Sequence, residues 1–317
     1  MLLTDMEEKE QPLVSVTVIT YNSSKTVLET LDSIKAQTYQ NIELIVSDDC
    51  STDNTVDLCR KWIEQNKDRF VRTEIITVDK NSGVSANMNR AEKACHGEWI
   101  KGIAGDDLLL PNCIQDNIDY ITRNPDAIIV MSRPTFIGIN PSDFDKYEKK
   151  MFDYSFFEMT PEEQYERIKL ASCLPASTVF LNRAVFIKYG LDYDERIPML
   201  EDRPMWLNAI KKGIKIHFFD KKTVVYRVRE DSLCNAPILS PRFYESTRLA
   251  YFYYTFDKTD KEDHERAVKD AVDNEMILYN EYYNMRQLSQ TRAFKIAKYI
   301  CNPQLLLKRV AKMFKIK

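Results

Sequence analysis

From Leu13 the chain reads "LVSVTVIT", a β-branched run of buried-strand length, followed by polar "YNSS" and then by apolar Val27, Leu31 and Ile34 at the spacing of one helix face. Strand then helix is the prediction, with Ser23 or Ser24 as the helix cap. The pattern recurs in "IELIVSDD" before "STDNTVDLCRKWIEQN", where Val56, Cys59, Trp62 and Ile63 share a face. "TEIITV" predicts a third strand, and "NSGVSANMNRAEKACHG" a polar turn leading into a helix that ends at Gly97. "EWIKGIAG" predicts a fourth strand, "PNCIQDNIDYITRN" a helix opened by Pro111, and "AIIVMS" a fifth strand. Alternation of this kind is the mark of an α/β protein, a mostly parallel sheet flanked by helices.

In such sheets ligands bind beyond the carboxyl ends of the strands, and polar residues stand at three of those ends. They are Tyr21 and Asn22 after the first strand, Asp48 and Asp49 after the second, and Asp106 and Asp107 after the fourth. The last pair poses a chemical problem, because "WIKGIAGDD" runs an apolar strand straight into two adjacent carboxylates. Burying an isolated charge costs several kcal/mol unless water, a cation or hydrogen-bond donors meet it. The plainer reading of any one of these residues is a turn former or helix cap. Three such ends on one edge favour a binding site.

Composition narrows the chemistry. With 317 residues, 44% of them hydrophobic, the chain can bury a substantial core, and no run of 18 apolar residues marks a membrane span. The opening "MLLTDMEEKEQPL" carries acid where a signal peptide needs a basic end, so a cytoplasmic protein is expected. Seven cysteines without a CxxC pair and only three histidines favour neither a disulfide framework nor a zinc site, and the cysteines are expected to be reduced and mostly buried. No GxGxxG occurs among the seven glycines and the Walker pattern is missing, which excludes the usual dinucleotide and P-loop cradles. A nucleotide on this edge would be held by side chains and a metal.

The net charge of −3 conceals an asymmetry, since residues 291–317 hold eight Lys or Arg and no acid. Without them 37 basic residues face 48 acidic ones, a body charge of −11, which argues against nucleic-acid binding. In "NPQLLLKRVAKMFKIK" apolar Leu306, Val310, Met313 and Phe314 follow helical spacing while Lys308, Arg309, Lys312 and Lys315 take other faces. Such a tail suits an anionic membrane surface, with a terminal helix packed on the domain as the alternative.

Together "VSVTVITYN", "QTYQNIELIVSDDCSTDNT", "NSGVSANMNRAEKACHGEWI" and "GDDLLLP" resemble, in order and spacing across residues 13–132, the family-2 glycosyltransferases of the GT-A fold. The resemblance implies transfer of a sugar from a nucleotide diphosphate, UDP by family habit with guanosine and thymidine donors as the alternatives, with Mn2+ or Mg2+ on the diphosphate. Carried over by position, Tyr21 and Asp48 would line the base pocket, Asp106 would sit by the ribose, and Asp107 would touch the metal. Asn22, Asp49 and Asn89 join the expected donor-binding set, with a structural role in the "CSTDNT" loop as the alternative for Asp49. Where many relatives carry an Asp two positions before the pair, this chain has Ala104.

Residues 133–170 read as irregular, a helix and a mobile lid, before "CLPASTVFLNRAVFIKYGLDYDERIPMLEDRPMWLNAIKKG" restores the resemblance. Glu201 and Asp202 match the acidic pair from which inverting members draw a general base, and Asp202 is the expected base. The plainer reading of that pair is a helix N-terminus with favourable acids, and of Trp206 a core residue. In "KIHFFDKKTVVYRVREDSLC" a strand precedes Arg227 and Arg229. Arg229 stands where relatives often place His; either arginine could pair with phosphate, the alternative being a salt bridge to Glu230 or Asp231. The expected organisation is a GT-A domain over 1–235, with a donor half 13–132 and an acceptor half 133–235, and a helical extension over 236–317. The expected acceptor is a saccharide or lipid-linked saccharide in surface polysaccharide synthesis, the lipid-linked form following if the tail lies on the membrane. The rivals are a nucleotidyltransferase, which would want a glycine-rich basic loop where "TYNSSKTVLET" stands, and a non-catalytic nucleotide-sugar binding protein.

Overall fold

The computed structural model describes residues 11–169, 174–229 and 240–255, with scattered residues between 268 and 287. The basic tail, Glu230 and Asp231 lie outside the described residues. Strands β1 (Val14–Thr20), β2 (Ile42–Asp48), β3 (Arg72–Thr77), β4 (Trp99–Ala104), β5 (Leu108–Leu109), β6 (Ile129–Ile137), β7 (Phe180–Asn182) and β8 (His217–Arg227) form one sheet in the order β3-β2-β1-β4-β7-β6-β8-β5. The first four strands are parallel neighbours, as the alternation predicts. Beyond β4 the sheet is mixed: β7 runs antiparallel to both β4 and β6, β6 and β8 are parallel, and β5 pairs antiparallel with β8.

The helices are α1 (Val27–Lys35), α2 (Thr55–Asn66), α3 (Val84–Lys93), α4 (Cys113–Arg123), α5 (Phe144–Met151), α6 (Pro161–Ile168), α7 (Ala184–Ile187), α8 (Asp202–Lys211) and α9 (Pro241–Thr255). Because side chains alternate along a strand, Val14, Val16 and Val18 of β1 turn to one face, where they pack with Leu31 and Ile34 of α1, Trp62 of α2 and Ile114 and Ile118 of α4. Ile45 and Ile100 turn to the other, with Met88 of α3, Ile168 of α6, Trp206 and Ile210 of α8 and Ala250 of α9. Trp206 is therefore core, 1% exposed.

Local readings shift in four places. Helix α1 starts after Thr26, whose side chain makes no cap bond to the helix N-terminus; Ser23 instead offers its carbonyl to the N–H groups of Thr26 and Val27 at 3.0 and 2.9 Å. Helix α3 stops at Lys93, and Gly97 lies against β1, where a Cβ would come within 2.6 Å of the Ser15 nitrogen. Strand β6 runs on through Pro134 to Ile137. Residues 133–169 are more regular than expected: α5 and α6 are helices, α6 opens on a full capping box between Thr160 and Glu163, and Phe156 and Ile168 are completely buried.

Helix α3 joins the two halves of the sheet. Ser85 donates from Oγ to the Ile197 carbonyl at 2.6 Å, and Gly83, at φ +99°, lies so close to Pro198 that a Cβ would meet its carbonyl oxygen at 2.5 Å. Gly83→Ala is expected to lower stability by roughly 1–3 kcal/mol through backbone strain and displacement of the 197–198 segment, read as a fall in the thermal midpoint.

On the same helix Glu92 is buried, and burial pushes its pKa up to about 8, with the Cys95 thiol its one opposing hydrogen-bond donor. The folded state thus keeps a proton that the unfolded chain releases near pH 4.5, so this stability is full below that pH and lost as pH rises through about 8. At ~1.4 kcal/mol per pH unit the loss reaches several kcal/mol, and Glu92→Gln is expected to flatten the fall in thermal midpoint between pH 6 and pH 9.

Candidate active site

Strands β2, β1 and β4 are in register to their ends, Thr20 opposite Asp48 and Ile19 opposite Ala104, so the loops that follow them meet within about two strand spacings, ~10 Å. The β4 loop is fixed there by the Gly105 N–H on the Ile19 carbonyl at 2.9 Å and by Thr26 Oγ1 on the Gly105 carbonyl at 2.7 Å. Tyr21, Asp48, Asp106 and Asp107 are thereby gathered on one edge. Tyr21 is 50% exposed, a large aromatic face left at the surface.

The two acids after β2 are both buried, and both are tied into loops. Asp48 accepts from Thr20 Oγ1 at 2.7 Å, from the Ser51 N–H at 2.7 Å and from Ser51 Oγ at 2.5 Å. Asp49 accepts from Ser82 Oγ, the Gly83 N–H and the Arg90 guanidinium, each at 2.7 Å. Burial alone would raise the Asp49 pKa, but these donors outweigh it and hold the carboxyl below its ordinary range. Its carboxylate is committed to the turn before α3 and not to the "CSTDNT" loop, where Ser51 is held by Asp48 instead. Asn22, at φ +52°, accepts on Oδ1 from the Thr52 N–H at 2.8 Å and knits the β1 and β2 loops together. Next to Asp49, Cys50 also holds a left-handed φ of +67°, a conformation costly for a residue other than glycine or asparagine.

At the end of β4 the two aspartates differ. Asp107 is 3% exposed and accepts the Arg227 N–H on Oδ1 at 2.8 Å, while Asp106 keeps about a third of its side chain open and faces Arg229, whose Nη1 lies 3.4 Å from Oδ2. Arg227 bridges this corner, donating from Nε to the Asp106 carbonyl at 2.7 Å and from Nη2 to Glu29 at 2.6 Å. Burial and the neighbouring Asp106 push the Asp107 pKa up to about 7. A hard cation suits this oxygen-only pair, and held by one or two carboxylates it would take its remaining ligands from phosphate and water. Among the described residues no cluster of three or more His, Cys, Asp or Glu forms a ready-made cage.

One residue here escaped the sequence reading. Lys101, inside the apolar "WIKGIA", is wholly buried and donates to the carbonyls of Gly102, Ser177 and Val179 at 2.9, 2.7 and 3.2 Å. Burial lowers its pKa to about 8, against the opposing influence of Cys113 and Asp107. The only signal in the sequence is a charge in the middle of a core strand.

Glu201 caps α8 and Asp202 opens it, and both are half-buried. Asp202 Oδ1 accepts the Arg203 N–H at 2.6 Å. Burial, reinforced by the adjacent Asp202 charge, holds the Glu201 carboxyl well above its usual range. Asn89 lies away from the strand ends in its bonding: its amide donates to the Tyr193 carbonyl and to Glu195, both at 2.9 Å, and its Oδ1 accepts the Tyr193 N–H at 2.9 Å. Among the described residues Cys59, Cys95 and Cys113 are buried free thiols and Cys50 is a half-buried one, and no helix is long and apolar enough to cross a membrane.

Comparison with known proteins converges on one activity. The family model for glycosyl transferase family 2 matches residues 15–190. An Escherichia coli relative, the UDP-Glc:alpha-D-GlcNAc-diphosphoundecaprenol beta-1,3-glucosyltransferase WfaP, is 29% identical over 223 residues, 70% of this chain and 79% of its own. Among solved structures, S. aureus TarS 1–349 in complex with UDP-GlcNAc superposes with a TM-score of 0.60 at 22% identity, covering 81% of this chain and 70% of that one. The mannosyltransferase PcManGT from Pyrobaculum calidifontis, in complex with GDP-Man and Mn2+, gives 0.55 at 16% identity, covering 98% and 89%.

Proposed function

The chain belongs to glycosyl transferase family 2 and is a glycosyltransferase with a GT-A-type fold, and on that premise we propose that it moves a sugar, with inversion, from a UDP-sugar to a saccharide or lipid-linked saccharide with the help of Mn2+ or Mg2+. The observation that carries this reading is the Asp106–Asp107 pair at the end of β4, one carboxylate buried and one open, facing Arg229. The UDP preference draws on TarS, solved with UDP-GlcNAc, and on WfaP, named for a UDP-Glc donor and an undecaprenol-linked acceptor. The cation draws on PcManGT, solved with Mn2+.

In this reading the exposed ring of Tyr21 stacks on the base, and Asp106 accepts the ribose hydroxyls. Asp107 holds the cation, which when bound offsets the negative charge that develops on the departing diphosphate. Arg229 turns from Asp106 to the phosphate oxygens, a planar guanidinium being well matched to them. Asp202 removes the proton of the acceptor hydroxyl as the oxygen attacks from the face opposite the leaving group. Burial and the Asp202 charge beside it hold the Glu201 carboxyl above its usual range, which leaves Asp202 as the member of the pair assigned as base. No second protein acid is required where a cation assists departure of the phosphate.

The test is release of nucleoside diphosphate from UDP-hexoses, UDP-N-acetylhexosamines and GDP-mannose with Mn2+ or with chelator, using undecaprenyl-diphosphate sugars and free saccharides as acceptors. Metal-dependent release of UDP from one donor, with a product of inverted anomeric configuration, supports the reading. Transfer of a nucleotidyl group, or turnover indifferent to chelator, overturns it.

A further inference from the structure

A cavity of about 410 Å3 lies between α3, the 192–196 loop, α8 and α9, with Asn89 of α3 but none of the strand-end carboxylates in its lining. Its volume is within the ~300–1,000 Å3 of small-molecule sites. Asn208, on its α8 wall, stands six residues after Asp202, about 9 Å along the helix.

The walls have the chemistry of a polyol site. Three cations, Lys93, Arg196 and Lys211, are matched by three anions, Asp192, Asp194 and Glu195, so the cavity carries no net formal charge and does not favour an ionic ligand. Hydrogen-bonding groups of both senses are already ordered: the Asn208 amide donates to the Tyr254 hydroxyl at 3.0 Å, and that hydroxyl donates to Asp194 Oδ2 at 3.0 Å. Asp194 is fixed in turn by Arg196, whose Nη2 lies 2.7 Å away and whose guanidinium lies 4.3 Å from the centre of the Tyr253 ring. Fixed donors, fixed acceptors and aromatic carbon on one wall suit a ring with hydroxyls on its edge and C–H groups on its faces.

We propose that this cavity is a secondary saccharide site, holding one neutral hexose or N-acetylhexosamine unit of a glycan at a distance from the transfer reaction. The inference rests on the glycosyltransferase reading above. The loop that lines the cavity leads directly into Glu201 and Asp202, and the buried Tyr193 shares both surroundings, because burial first and then the charges of Glu92, Glu201 and Asp202 raise its pKa. An occupant would therefore brace the segment that carries the proposed base.

The test is saturation-transfer NMR and calorimetric titration of the full chain with methyl glycosides of glucose, galactose, N-acetylglucosamine and N-acetylgalactosamine, with UDP and Mn2+ titrated in parallel. Binding of one neutral glycoside is expected in the presence of saturating UDP. Asn208→Ala and Tyr254→Phe, which keeps the ring, are each expected to weaken it roughly tenfold, about 1.4 kcal/mol, while UDP binding stays as in the wild type. Glycoside binding that both variants leave unchanged, or none beside normal UDP binding, overturns this site and leaves the proposed function standing. Loss of glycoside binding only when UDP competes assigns the sugar to the donor edge and overturns it too. Absence of both UDP and glycoside binding overturns the parent reading together with it.

Discussion

Asp202→Asn is expected to keep the fold and the affinity for the nucleotide but to lose turnover by a factor of ~100 to 10,000, the contribution of a positioned general base. The change is nearly isosteric, and the amide oxygen can still accept the Arg203 N–H that Asp202 now holds at 2.6 Å. What disappears is a carboxylate able to take the acceptor proton. Steady-state kinetics should put the loss in kcat, with the dissociation constant of UDP unchanged. If turnover persists in Asp202→Asn and falls in Glu201→Gln, the base is Glu201, and the pairing argued from its raised pKa is reversed.

Asp107→Ala is expected to abolish the metal-dependent part of donor binding and with it nearly all activity, because several kcal/mol of charge stabilisation are lost with the cation. The variant has a structural cost as well, since Asp107 holds the Arg227 N–H at 2.8 Å and so ties β8 to the β4 loop. Asp107→Asn separates the two effects: it preserves a hydrogen-bond acceptor for Arg227 while weakening the cation site. Loss of Mn2+ dependence in both variants, with a normal thermal midpoint in Asp107→Asn, assigns the effect to the cation. Normal Mn2+-dependent binding in Asp107→Asn contradicts the assignment and moves the cation to Asp106.

How much of this was legible in the sequence differs along the chain. The first four strands and their helices were readable because each strand is a short run rich in apolar and β-branched residues and each helix shows an apolar face, and parallel pairing follows from the alternation. The second half was not, since the insertion of β7 antiparallel between β4 and β6 depends on long-range pairing that no local pattern records. At the site, the partners of neighbouring acids were not readable from the chain. Asp48 and Asp49 differ only in which loop supplies their donors, and Asp49 is claimed by Ser82, Gly83 and Arg90, more than thirty residues away. Asn89 is bound to Tyr193 and Glu195 from across the fold, contacts invisible to a motif read on one helix. Arg227 and Arg229 were indistinguishable as neighbours, yet one is fixed by Glu29 and the Asp106 carbonyl and the other faces the open Asp106 carboxylate.

The β4 edge, in the proposed function, binds a nucleoside diphosphate through a cation on Asp107. Calorimetric titration of UDP into the wild-type chain, with Mn2+ and again with chelator, tests it most directly. Binding is expected to be strengthened at least tenfold by Mn2+, ~1.4 kcal/mol, and reduced to the chelator level by Asp107→Asn. Equal affinity for UDP with Mn2+ and with chelator, in a wild-type protein that binds the nucleotide, would contradict it.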